Sequence, residues 1–128
     1  MTTFGDAAIT QADDVDTLQF DWGRIKMLSD HHSTGAERSS FVLVSLEPGE
    51  GHERHNHPDS DEIIFVLSGK GTQMLNDEDP FNIGAGDCIY IPEGMYHATQ
   101  NTGWEPLRLI IVYTPPGPED AFRGMEDC

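Results

Sequence analysis

Cations are scarce in this chain. Seven Lys and Arg stand against 23 Asp and Glu, which leaves a formal net charge of −16. A surface of that sign repels phosphate backbones and anionic lipid, so nucleic acid and membrane surfaces are excluded as partners. Long hydrophobic runs are also missing, and no apolar stretch approaches the roughly 20 residues of a membrane span. The opening MTTFGDAAITQADD lacks the basic start and apolar core of a signal peptide, which predicts a cytoplasmic protein. Cysteine is nearly absent: two in 128 residues are too few for a disulfide framework. Cys88, inside the apolar block GDCIYIP, reads as a small buried hydrophobe rather than a nucleophile, and Cys128 reads as part of a mobile end. No window carries sustained helical periodicity.

What remains is strand-like. The hydrophobic residues, 37% of the chain, come in compact blocks, and 128 residues suffice for one domain with a modest core. Leu18, Phe20 and Trp22 alternate with polar residues; the phase then shifts to Ile25 and Met27, which a bulge at Gly23 would explain. SSFVLVSLEPGEG reads as a strand closed by a Pro-Gly turn, and EIIFVLSGKGTQML as two strands around a hairpin turn at Gly69 to Gly71. NDEDP is a turn; FNIGAGDCIYIPEG, YHATQNTG and LRLIIVYTPP each hold a strand. Short strands punctuated by Gly, Pro, Asn and Asp predict an all-β sandwich or barrel. Pro118 and the acids after it favour the start of a short helix.

The stretch GHERHNHPDSDE crowds three histidines among carboxylates. Residues two apart on a strand face the same side, so His55 and His57 project together, with Cβ atoms roughly 6.5–7 Å apart. Two imidazoles at that spacing can converge on one metal. Glu62 opens the next apolar strand, where a lone buried carboxylate is costly and a metal removes the cost. A third imidazole is available at His97, just after the turn in IPEGMY.

The order is Gly49, five residues, His55-x-His57, four residues, Glu62, six residues, Gly69. Then come Gly86, five residues, Pro92-x-Gly94, two residues, His97, three residues, Asn101. This resembles both motifs of the cupin superfamily at every defined position. The resemblance implies a small single-domain cupin of the conserved-barrel type: an all-β double-stranded β-helix, or jelly-roll barrel, over residues 17–117. Residues 1–16 would then be a flexible or swapped N-terminal arm and 118–128 a short helical tail. It implies His55, His57, Glu62 and His97 as metal ligands, Asn101 as a structural residue or a support for the ligands, and a homodimer.

Three neutral imidazoles and one carboxylate suit one divalent transition metal per chain, Fe, Mn, Ni, Co or Zn. No thiolate is offered, which argues against a Cys-type structural zinc site. Four ligands leave two positions open on an octahedral ion, enough for a bidentate substrate. The expected function is that of a metal-binding enzyme acting on a small oxygen-rich molecule: a sugar, polyol or carboxylate derivative. Isomerase, lyase, decarboxylase and dioxygenase chemistry all remain open. The alternative is a non-catalytic module that binds or senses a small molecule. Glu53 shares the parity of His55 and His57, which makes it a candidate base as well as a plain solvent carboxylate. Tyr113 is a candidate catalytic acid as well as a core tyrosine. Arg108 could hold a substrate carboxylate, Met95 and Tyr96 could line the cavity mouth, and His31, His32 and His52 are expected outside.

Overall fold

The computed structural model describes residues 1–124, so Cys128 and the end of the expected tail lie outside the described residues. Two short strands, β1 (Thr2–Phe4) and β2 (Ala7–Ile9), pair with each other, and a 3-10 turn at Ala12–Asp14 follows. Ten strands then build two sheets. The larger contains β3 (Leu18–Phe20), β4 (Gly23–Ser29), β5 (Ser40–Leu46), β7 (Asp61–Ser68), β10 (Cys88–Ile91) and β12 (Leu107–Thr114), in the spatial order β10-β7-β12-β5-β4-β3. The smaller contains β6 (Gly51–His55), β8 (Lys70–Leu75), β9 (Phe81–Gly84) and β11 (His97–Asn101), in the order β6-β11-β8-β9. One helix, α1 (Asp120–Gly124), follows the last strand. The pairings are antiparallel throughout. This is the double-stranded β-helix that the motif pattern implies. No helix among the described residues is long and apolar enough to cross a membrane.

From β5 onward the chain swaps sheets at almost every turn, and this corrects two sequence expectations. Ser68 to Lys70 is a crossover, not a hairpin, because β7 and β8 belong to different sheets. Gly69 makes the crossover possible: it sits at φ +94°, and a Cβ there would lie 2.7 Å from the Pro106 carbonyl oxygen. The phase change near Gly23 is a tight hairpin between β3 and β4, with Phe20 opposite Gly23, rather than a bulge within one strand.

Alternation decides the core. In β5, Val42, Val44 and Leu46 are buried, while Phe41, Leu43 and Ser45 are only partly so. β12 repeats the pattern with Leu107, Leu109, Ile111 and Tyr113. Each fully buried aliphatic side chain contributes about 1.5–3 kcal/mol. The same alternation corrects the reading of Cys88. It and Tyr90 point outward from β10 and are exposed, while Ile89 and Ile91 fill the core. Asn101, 1% exposed, ties strand ends together: its side-chain amide donates to the Leu46 and Glu105 carbonyls at 2.9 and 2.8 Å, and its oxygen accepts from the Gly103 amide.

Candidate metal centre

β6 and β11 run side by side in the smaller sheet, and their register is uneven. His97 lies opposite His55, but Thr99 lies opposite His52, so two steps on β11 answer three on β6. The extra residue in β6 is a bulge, which reverses the expected parity for everything before it. Gly51 fits this close approach, since a Cβ there would sit 2.2 Å from the Thr99 carbonyl oxygen. The bulge turns Glu53 and Arg54 outward. Glu53 is exposed, on the solvent side rather than in the cavity where unbroken alternation places it. Arg54 pairs with Asp77 at 2.6 Å and lies over the Tyr96 ring. His52, expected outside, turns inward instead. It packs edge-on against Trp22 and beside Phe122, with its ring 6.2 Å from that of His55.

The four expected ligands come together. His55 and His97 face each other across β6 and β11, His57 follows in the loop after β6, and Glu62 is the second residue of β7. One ligand atom from each lies within 4.8 Å of the others. The rings of His55 and His97 are 4.2 Å apart, and that of His57 is 5.0 and 5.3 Å from them.

Backbone carbonyls aim two of the imidazoles. His97 Nδ1 donates to the Met95 carbonyl at 3.0 Å, and His55 Nδ1 donates to the Glu53 carbonyl. With the proton on Nδ1, the Nε2 lone pair of each ring faces the centre. There His97 Nε2 and His57 Nε2 lie 3.1 and 3.2 Å from Glu62 Oε1. All three atoms are buried and none has a hydrogen-bond partner among the described residues. Buried acceptors that face one another without a proton or cation between them are unfavourable. The donor set of nitrogen and oxygen, without sulfur, fits a divalent transition metal.

The charges follow the same geometry. Burial alone would raise the Glu62 carboxyl, but His57 and His97 beside it outweigh burial and hold it at about 2. Burial pushes His97 down, and Glu62 more than reverses that, so its net shift is upward. Burial lowers His55, and lowers His52 further, to about 4. Tyr113 lines the same space. It sits opposite Glu62 on the neighbouring strand, with its ring 5.2 Å from that of His57. Burial, with Glu62 and Glu119 nearby, raises its hydroxyl well above the usual tyrosine value.

The remaining candidates lie apart from the centre. Arg108 is exposed on β12, and His31 and His32 are exposed near Asp120. Tyr96 is 39% exposed, while Met95 packs on the core and contributes its carbonyl to His97. The inward turn of His52 escaped the sequence reading, because a bulge of one residue leaves no mark in composition; Gly51 beside it was the available signal.

A family model described as the cupin domain matches residues 42–113. The chain is 29% identical over 100 residues to oxalate decarboxylase OxdC of Bacillus subtilis, a match covering 75% of this chain and 26% of that protein. It thus spans about a quarter of that relative. A solved structure of the same decarboxylase, described by its Mn(II) centres, superposes with a TM-score of 0.73 at 27% identity, covering 83% and 29% of the two chains. Protein SchB of Streptomyces halstedii is 30% identical over 112 residues, 88% of this chain and 80% of that one. The structure of KdgF from Halomonas sp. matches with a TM-score of 0.75 over 88% and 99% of the chains; at 18% identity it speaks for the fold alone. With the barrel, the motif residues gathered at one point and a family match across most of the barrel, the chain belongs to the cupin family.

Proposed function

We propose that this cupin is a metal-dependent enzyme that acts on a small oxygen-rich molecule held by two of its oxygens. The observation that carries the reading is the set of three buried ligand atoms, His57 Nε2, Glu62 Oε1 and His97 Nε2, none with a hydrogen-bond partner. His55, His57, His97 and Glu62 would hold one divalent transition metal, which supplies Lewis acidity toward a ligand oxygen. Glu62 offsets part of the cation's charge, and the backbone carbonyls of Glu53 and Met95 keep the rings of His55 and His97 aimed. Tyr113, its hydroxyl kept protonated by burial, would donate a hydrogen bond or a proton beside His57. Glu53, on the solvent side of the bulge, is given no step. The oxalate decarboxylase relative supports carboxylate derivatives as one substrate class, alongside sugars and polyols.

Metal analysis of the purified protein tests this directly, with one equivalent per chain expected. Replacing His55 and His57 together by alanine should empty the centre. Stoichiometric metal in that double variant would overturn the assignment. Metal and chelator binding with no turnover of any oxygen-rich substrate would make the chain a binding module instead.

We also propose a homodimer, formed through the outer face of the larger sheet. Two rows cross four strands there without a charge: Tyr90, Ile63, Val112 and Phe41, then Cys88, Phe65, Ile110 and Leu43. Tyr90, Ile63 and Phe65 are 59%, 39% and 37% exposed. On a chain of net charge −16, two copies can approach at an uncharged face with least repulsion. Sedimentation of a single-chain mass at micromolar concentration would count against it.

A further inference from the structure

The inward turn of His52 has no role in ligating the centre. Its row across the smaller sheet is His52, Thr99 and Gln73, next to the row of His55, His97 and Leu75. Thr99 and Gln73 are already satisfied by each other, hydroxyl to amide oxygen at 2.6 Å. His52 is not: its Nε2 is buried and has no hydrogen-bond partner among the described residues. The ring is held by aromatic contacts, with Trp22 at 4.6 Å, Phe122 at 5.8 Å and Phe20 stacked behind Trp22. An imidazole so packed keeps a fixed direction, and its ring, 6.2 Å from that of His55, lies beside the metal-ligand row.

We propose that His52 is a positioning residue for the substrate. Its Nε2–H donates to an outer oxygen of a small acid chelated at the centre, while Trp22 and Phe122 hold the ring in place. This rests on the metal reading above. It adds a selectivity that the four ligands do not provide, for chelators with a further oxygen beyond the two that bind the ion. A small dicarboxylate or 2-oxo acid has such an oxygen, and a simple hydroxamate does not.

The test uses the full chain loaded with Mn(II) and two probes, oxalate and acetohydroxamate. Affinities are read by titration calorimetry and entry to the centre by electron paramagnetic resonance. His52→Phe keeps an aromatic ring against Trp22 and Phe122 but removes the donor. The expected result is one Mn(II) per chain at unchanged affinity, oxalate binding weakened about tenfold or more, and acetohydroxamate binding unchanged. His52→Gln, which restores a donor, should recover most of the oxalate affinity. Oxalate binding in His52→Phe equal to that of the unaltered protein would reduce His52 to packing and overturn the proposal. So would equal weakening of both probes, loss of Mn(II) from His52→Phe, or failure of the unaltered Mn(II) protein to bind oxalate. If the unaltered protein takes up no Mn(II), the metal reading itself falls and this proposal falls with it; the other results leave that reading standing.

Discussion

On the larger sheet, the inward positions of β5 and β12 include Val42, Val44, Leu46, Leu107, Leu109 and Ile111, all buried. On the smaller sheet, the inward positions of β8 and β11 include Gln73, His97, Thr99 and Asn101, equally buried. The two faces meet in one barrel and have opposite energetics. Apolar burial stabilises at about 25 cal/mol per Å². Buried polar groups cost free energy unless each finds a partner. Gln73, Thr99 and Asn101 find theirs within the protein. His57, Glu62 and His97 do not. The smaller sheet can therefore carry His97, with His57 in the loop beside it and Glu62 at the head of β7, because the apolar positions of the larger sheet supply the cohesion.

Removing part of the apolar wall should have the largest effect. Leu109→Ala should cost about 2–5 kcal/mol, read by denaturant unfolding. The protein that remains folded should still take up metal. An equal loss of metal per folded chain would mean that the two walls are not separable.

The next effect should fall on the polar wall. His97→Ala should weaken metal binding by more than about a hundredfold, beyond the loss expected for a residue that only orients a ligand. The metal-free stability should fall by about 0.5–1.5 kcal/mol, from the lost Nδ1 hydrogen bond to the Met95 carbonyl. Destabilisation as large as that of Leu109→Ala would place His97 in the cohesive wall instead.

Protons should separate the walls further. Glu62 is held at about 2 when folded, so it stabilises the metal-free protein above the ordinary carboxyl range. That contribution is lost as pH falls from about 4.3, an unperturbed glutamate, toward the folded value. Asp30 behaves likewise. Burial alone would raise it, but Arg123 at 2.7 Å and the Ser33 amide more than offset that. Asp30→Asn should cost about 1–3 kcal/mol at neutral pH and flatten the acid limb of the stability curve. His97 has the opposite sign. Its folded value is raised, so its proton stabilises the metal-free protein at low pH and is lost as pH rises through that value. Metal must displace this proton, so metal affinity should fall as the solution is acidified; a flat profile between pH 8 and 5.5 would contradict the lone pair assigned to His97 Nε2.

The smallest effect is expected for Tyr113→Phe. Metal content should be unchanged and stability altered by about 1 kcal/mol or less. Any loss should appear in turnover alone, and loss of metal would make the hydroxyl part of the centre.

The apolar wall was largely legible in the sequence. Alternation in SSFVLVSLEPGEG and LRLIIVYTPP gives the inward residues of β5 and β12 without further information. The gathering of His55, His57, Glu62 and His97 at one point was legible through motif spacing, and the buried place of Glu62 through the cost of a carboxylate at the head of an apolar strand. Two failures share a cause. Cys88 was read as buried because its block is apolar, yet an apolar block has two faces, and only one of them is core. His52 was placed outside by unbroken parity, and the cavity reading of Glu53 rested on the same parity, which one extra residue in β6 inverts; the solvent reading of Glu53 is the one its exposure fits. Pairing register is a property of two strands, and neither strand's sequence states it alone. The same holds at Gly69, where nothing local distinguishes a hairpin from a crossover.

The position of β12 has a consequence for how the molecule is made. This last strand lies between β5 and β7, which are not neighbours without it. During synthesis, two of the most apolar strands therefore emerge and wait for a partner that arrives some forty residues after β7 ends. Such long-range pairing is slow, and strands with one open edge are prone to associate while they wait. The gathering of His55, His57, Glu62 and His97 waits on the same closure, because β7 carries Glu62 and gains its central neighbour only when β12 inserts. A nascent chain should thus gather these four side chains only when its barrel is nearly complete.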